Sequence, residues 1–220
     1  MTRKKKIALI CLSAALAVSV GVGVTLAYLG QVRQKSNKIE VGLGDVSLQE
    51  EFESIDIQKT ENVNRKKIQV KNTGSTPCYV RVFAEFSDSR AAKLAKVTSS
   101  QTAPAKESSM WYSWDDFKLE TQTENNTVAP GWVYVSDSTK LSGYFYYKTL
   151  LAPGEVTTEP LITWVLTDFD GAQTDSNPDL IRSFDITVYS ETVQETEITP
   201  DGTKTVFTDW RSAWQSFLIR

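Results

Sequence analysis

The chain has 220 residues, 24 basic against 27 acidic, no histidine and 2 cysteines, with 40% hydrophobic and 10% aromatic residues. That length fits one domain with an appendage, and the aromatic content argues for a packed core rather than disorder. Without histidine there is no Ser-His or Cys-His nucleophile pair, no His-ligated zinc and no imidazole switch. A net charge of -3 lacks the clustered basic surface that a nucleic-acid partner requires.

Arg3, Lys4, Lys5 and Lys6 open the chain, and no charge follows over 7–29. A helix needs about 20 apolar residues to cross a bilayer, so this run suffices, and its basic flank keeps the start cytoplasmic and sends the rest outward. A cleaved signal peptide over 1–27 competes with a permanent signal anchor. The length of the run favours the anchor. Gly21 and Gly23, with small Thr25 and Ala27 placed for a cut before Tyr28, favour cleavage, which is the reading adopted. Cleavage leaves Cys78 as the lone thiol, so no internal disulfide forms. Its apolar surroundings mark it as a small buried residue.

Along the exported part, 38–48 alternates through Ile39, Val41 and Leu43, then shifts parity at Val46 and Leu48, as in a bulged strand. Further strand patterns lie at 52–57, 65–70, 77–86, 132–135, 144–150, 160–166 and 183–193. Turn formers separate them: Asn72, Thr73 and Gly74 before Pro77, where Gly and Asn tolerate positive φ, then Pro153-Gly154 and Asp170-Gly171. In the strand at 77–86, Tyr79, Arg81 and Phe83 share one parity and Val80, Val82, Ala84 and Phe86 the other. Many short strands between such turns predict an all-β jelly-roll or Ig-like β-sandwich. Two helices are expected: 89–97 capped by Asp88, and a C-terminal one through Trp210, Ala213, Trp214, Phe217 and Leu218 capped by Asp209. The second reads as a lid on the sandwich, with too little positive charge for a membrane surface.

Candidate sites are sparse. Arg81 projects between apolar neighbours as a possible partner contact, against the blander reading of an ion-paired or snorkelling side chain. Trp111, Tyr112 and Trp114 form a cluster able to stack on sugars, against core packing or a strand edge. Asp168, Asp170 and Asp175 supply oxygen ligands suited to calcium, but with spacing unlike an EF-hand. Glu50-Glu51 and Asp115-Asp116 are adjacent carboxylates; on a strand such neighbours point to opposite faces and cannot converge on one bond. Asn125-Asn126-Thr127 matches a glycosylation sequon and reads as a turn.

Thr25, Ala27, Tyr28, Ile39 and Gly42 fall in a pattern that resembles the processing region of the TasA and camelysin family of exported Gram-positive proteins, departing from it at Leu29 and Gln31. Asn72-Thr73-Gly74 followed by Tyr79-Val80-Arg81-Val82, and Gly143-Tyr144 leading to Pro153-Gly154, are similar to later segments of related proteins. The resemblance implies a SipW-type signal peptidase as processing partner and a fibre subunit as product. Some members are catalogued as metallopeptidases; with no histidine, a His-Glu-x-x-His zinc site cannot be built here.

The domains expected are thus a signal helix at 1–27, an N-terminal assembly strand at 28–48, and a sandwich with a C-terminal helix at 49–220. The function expected is that of a secreted, non-enzymatic subunit of matrix, biofilm or surface fibres, assembling with itself by strand addition, with an accessory matrix subunit as a further candidate partner. No cofactor is expected, and contact with the membrane is limited to the helix before cleavage. The alternative is a monomeric surface module binding carbohydrate or a host protein.

Overall fold

The computed structural model describes residues 45–52, 61–137, 139–168, 181 and 184–218. All of them belong to one compact unit, Gly42–Arg220. In chain order its elements are β1 (Val46–Phe52), β2 (Glu61–Asn72), β3 (Cys78–Phe86), α1 (Ser89–Leu94), β4 (Ala95–Thr98), β5 (Tyr112–Ser113), α2 (Trp114–Glu120), β6 (Trp132–Val135), β7 (Tyr144–Tyr147), β8 (Trp164–Asp168), β9 (Ile186–Gln194), β10 (Thr196–Ile198), β11 (Lys204–Val206) and α3 (Trp210–Leu218). The fold is all-β with short helices. Every described strand pair is antiparallel. One sheet runs β1-β2-β8-β4-β5, a second β6-β7-β3-β9, and β10-β11 is a separate hairpin.

The inward faces of the two larger sheets share a core. Ile68 and Val70 of β2, Val97 of β4 and Val165 of β8 meet Val80, Val82 and Ala84 of β3, Phe145 of β7 and Ile186 of β9. The alternation read in β3 produces this division, because successive side chains leave a strand on opposite faces. Its even residues enter the core, whereas Tyr79 joins a second cluster with Val133, Tyr146, Trp210 and Trp214 on the outer face. There α3 covers the sheet, its N-terminus capped by Asp209 Oδ1, which accepts the Ser212 N–H at 2.8 Å. The lid expected from the Trp210–Phe217 periodicity is therefore present. Among the described residues no helix is long and apolar enough to cross a membrane.

Some local expectations change. The helix after Asp88 stops at Leu94, and Ala95–Thr98 is β4, paired with β8 from Ala95↔Thr167 to Thr98↔Trp164. Helix propensity loses to burial of Ala95, Val97 and Thr98 between neighbouring strands. Asp115 and Asp116 lie in the first turn of α2, not on a strand. Asp116 serves its Ser113 cap, its Oδ2 accepting the Ser113 hydroxyl at 2.7 Å. The turn after β2 uses no positive φ at Gly74. The buried Asn72 carboxamide builds it, accepting Gly74 N–H at 2.9 Å and donating to Thr76 O and Leu151 O. Gly154 does adopt φ +85° in the Pro153-Gly154 turn. Strand β1 straddles the boundary expected between 48 and 49, and Val46 and Leu48 pack on the core of this same unit. The signal segment, the Ile39, Val41 and Leu43 strand, the 53–57 stretch and the Asp170-Gly171 turn lie outside the described residues.

Candidate functional site

Among the described residues, a cluster of functional groups is built around Arg81 on the outer face of the second sheet. The ladders place it opposite Glu191 on β9 and Tyr146 on β7. Its Nε and Nη2 both reach Glu191 Oε2 at 2.5 Å, and Nη1 donates to Tyr146 Oη at 3.3 Å. The guanidinium lies between two rings, 3.9 Å from the Tyr144 centroid and 4.3 Å from that of Trp214. Arg81 is only 5% exposed. Burial opposes its charge, but hydrogen bonds to Tyr146 and Glu191 outweigh that penalty and leave its pKa raised. Chemically this is a clamp: a charge neutralised, hydrogen-bonded and stacked at the junction of β3, β7, β9 and α3.

Beside the clamp, Phe83 stacks on Tyr189 with centroids 4.8 Å apart, and the Tyr144 and Tyr189 hydroxyls lie 3.1 Å apart. Burial, the Tyr189 hydrogen bond and the charge of Glu191 push the Tyr144 phenol up to about 12 against the pull of Arg81. Burial also raises Tyr146 and Tyr79. A raised folded-state pKa means that the fold holds the phenolic proton more tightly than the unfolded chain does. This stabilisation is complete below the ordinary phenol value of 10.0 and is lost as pH rises through about 12. The urea midpoint is therefore expected to be flat up to about pH 9 and to fall steeply above 10, together with tyrosinate absorbance near 295 nm. Phenols that ionise fully by pH 10.5 with no loss of stability would contradict it.

Two long strand edges complete the surface. Ser87 N–H donates to Asp185 O at 2.8 Å and Glu195 N–H to Pro77 O at 3.2 Å. With the Phe86↔Ile186 register, these bonds set the phase of the β3–β9 ladder. Tyr189, Glu191 and Val193 bond to β3, while Val188, Ser190 and Thr192 turn their N–H and C=O groups away from it. By the same logic, the Thr73 N–H bond to Asp45 O turns the backbone groups of Val46 and Leu48 outward from β1. No described strand pairs with the outer side of β9 or β1. The two run side by side, and Val46, Leu48 and Val188 all pack on the shared core.

The residues singled out in the sequence are not brought together. Arg81 sits in the clamp. Trp111 is buried and donates from Nε1 to Ala105 O at 2.9 Å. Tyr112 lies in β5, paired with Val97, and Trp114 is buried in the core with Nε1 donating to Glu85 Oε1 at 2.7 Å. These three therefore occupy core and strand-edge positions, and the exposed aromatics among the described residues are Tyr189 and Phe217. The Asn126 carboxamide braces a turn, donating to Trp132 O at 2.8 Å and accepting the Ala129 N–H at 2.9 Å. Asp170 and Asp175 lie outside the described residues, as do Thr25, Ala27 and Tyr28; of Asp168 only the backbone, in β8, is described. Tyr144, Glu191 and Trp214, the partners of Arg81, had no sequence signal linking them to it. Only the shared parity of Tyr79, Arg81 and Phe83 pointed to this face. No family model matches the chain, and no curated protein matches it in sequence.

Proposed function

We propose that this protein is an exported structural subunit, a jelly-roll or Ig-like sandwich of the TasA and camelysin kind that assembles into matrix or surface fibres. A signal peptidase of the SipW type releases residues 28–220, and the freed N-terminal strand completes a sheet of a neighbouring copy. The observation that carries this reading is the pair of long edge strands, β1 and β9, with which no described strand pairs on the outer side and whose Val46, Leu48 and Val188 pack on the shared core. Unpaired backbone groups on such edges offer a template for strand addition, and a head-to-tail contact of that type repeats without closing. The chemistry is structural. Arg81 spends its donors within the fold, on Glu191 and Tyr146.

The test is electron microscopy and sizing of secreted material. Its N-terminal sequence is expected to begin Tyr-Leu-Gly-Gln, and the 28–220 product to form filaments that elongate with concentration. A chain beginning at Gly42 keeps the compact unit Gly42–Arg220 whole and is expected to be folded and monomeric. If 28–220 stays monomeric at millimolar concentration, the reading fails and the monomeric surface module takes its place.

A further inference from the structure

We infer that Tyr189 is a stacking platform for a sugar ring of a neutral, β-linked polysaccharide, with Thr187 and Glu191 as the hydrogen-bonding groups beside it. The inference does not depend on fibre assembly. Tyr189 is 43% exposed, although Phe83 stacks on one face of its ring with centroids 4.8 Å apart and planes 18° apart. The Tyr144 ring stands at 81° to it, and the two phenol oxygens lie 3.1 Å apart. Two neighbours thus fix the ring's orientation before any ligand arrives. No described strand pairs with the outer side of β9, so the face turned away from Phe83 looks out over that edge.

Charge and area decide what fits there. The Arg81 guanidinium cancels the Glu191 carboxylate and is itself only 5% exposed, which leaves no free charge to hold an anion or a cation. With about 150–250 Å² on a whole aromatic side chain, the exposed part of Tyr189 comes to roughly 100 Å². A stable protein interface takes about 800 Å² from each partner, so a folded partner finds too little here. One sugar ring is the right size. A pyranose with equatorial hydroxyls has a flat face of axial C–H groups to lay on the ring and a polar rim to be held by a few placed groups. The pleat supplies those groups. Residues two apart on a strand share a face about 7 Å from each other, so exposed Thr187 and Glu191 flank Tyr189 on the outer side. Glu191 Oε2 takes both Arg81 donors, while Oε1 has no hydrogen bond among the described residues and is open to a sugar hydroxyl. A polysaccharide laid along β9 therefore meets a hydroxyl, an apolar ring and a carboxylate oxygen in turn.

The test is calorimetric titration of the full chain with chitohexaose and cellohexaose, with polyglucuronate as the anionic comparison. At least one neutral sugar is expected to bind, and polyglucuronate to bind about 10-fold or more weakly, since nothing on the patch neutralises its charge. Tyr189→Ala should lower affinity about 10-fold or more, because covering roughly 100 Å² of ring supplies most of the gain. Tyr189→Leu keeps an apolar side chain on the strand but has no flat face. It should lose as much, and it decides alone if the alanine variant fails to fold. Tyr189→Phe keeps the ring and should stay within about 3-fold of the parent, because the hydroxyl it gives up is spent on Tyr144. No binding of either neutral sugar overturns the inference, as does parent-like binding by a folded alanine or leucine variant. A loss in Tyr189→Phe as large as in Tyr189→Ala overturns it too, as does polyglucuronate bound as tightly as the neutral sugars. Self-association abolished by Tyr189→Ala, with no sugar bound, assigns the face to a second copy instead. Filament formation is read separately, so the fibre reading stands or falls by its own test.

Discussion

Trp114→Ala is expected to destabilise the domain by about 3–5 kcal/mol, the usual range for deleting a buried tryptophan. Trp114 opens α2 at 1% exposure and connects the helix to β3 and β7 of the second sheet. Its ring stacks on Phe117 at 5.8 Å, meets Phe86 edge-on at 5.5 Å and tilts against Phe145 at 5.8 Å. Its Nε1 donates to Glu85 Oε1 at 2.7 Å, while Lys118 Nζ holds Glu85 Oε2 at 2.7 Å. Alanine would leave a large hole and strip one donor from a carboxylate that keeps its lysine. Trp114→Phe separates these losses, retaining the ring stack and giving up the hydrogen bond for about 1–2 kcal/mol. Equilibrium urea denaturation of both variants measures the difference. A loss below about 1 kcal/mol for the alanine variant would show that α2 packs independently of the sheets.

What could be read from the sequence follows the range of the forces involved. The parity of β3 and the periodicity of α3 are local patterns; the strand face came out as the alternation required, and the helix face did so at Trp210, Ala213 and Trp214, while Phe217 near its end is exposed. The strand at 132–135 came out with the bounds expected. Segment 95–98 misled because its composition suits a helix, and only pairing with β8, far along the chain, makes it a strand. Helix α2 went unrecognised although Ser113 and Asp116 form a cap across its first turn. The aromatic cluster before it had drawn attention to stacking instead. The β10–β11 hairpin turns through Pro200, Asp201 and Gly202, with Gly202 at φ +85°, a turn signal that composition carried all along. The clamp was legible in one member only. Arg81 stood out as a charge among apolar neighbours, but its partners arrive from β7, β9 and α3, and sheet order decides which of them meet.

Trp214→Ala is expected to free the C-terminal helix at a cost of about 3–5 kcal/mol, and the clamp predicts how that cost is shared. Trp214 is fully buried, edge-on to Tyr146 at 5.9 Å and over the Arg81 guanidinium at 4.3 Å. Its Nε1–H is buried with no hydrogen-bond partner among the described residues, a defect of about 1–3 kcal/mol. Trp214→Phe removes that orphan donor as well as some ring area, so its net effect should lie within about 1 kcal/mol of zero. Arg81→Ala should cost about 2 kcal/mol, mostly through lost stem packing and cation–π contact, because the half-exposed Glu191 returns to water. Combined with Trp214→Ala, it should cost about 1 kcal/mol less than the sum, since each change removes the same contact. Hydrogen exchange supplies the second readout. With Trp214→Ala, the amides of 210–218 should lose protection while those of β3 and β7 keep theirs, making α3 a separately opening unit. A strictly additive cycle would mean that Arg81 and Trp214 stand close without depending on each other. The helix would then be held by Trp210 on Tyr146, whose rings stack at 4.7 Å.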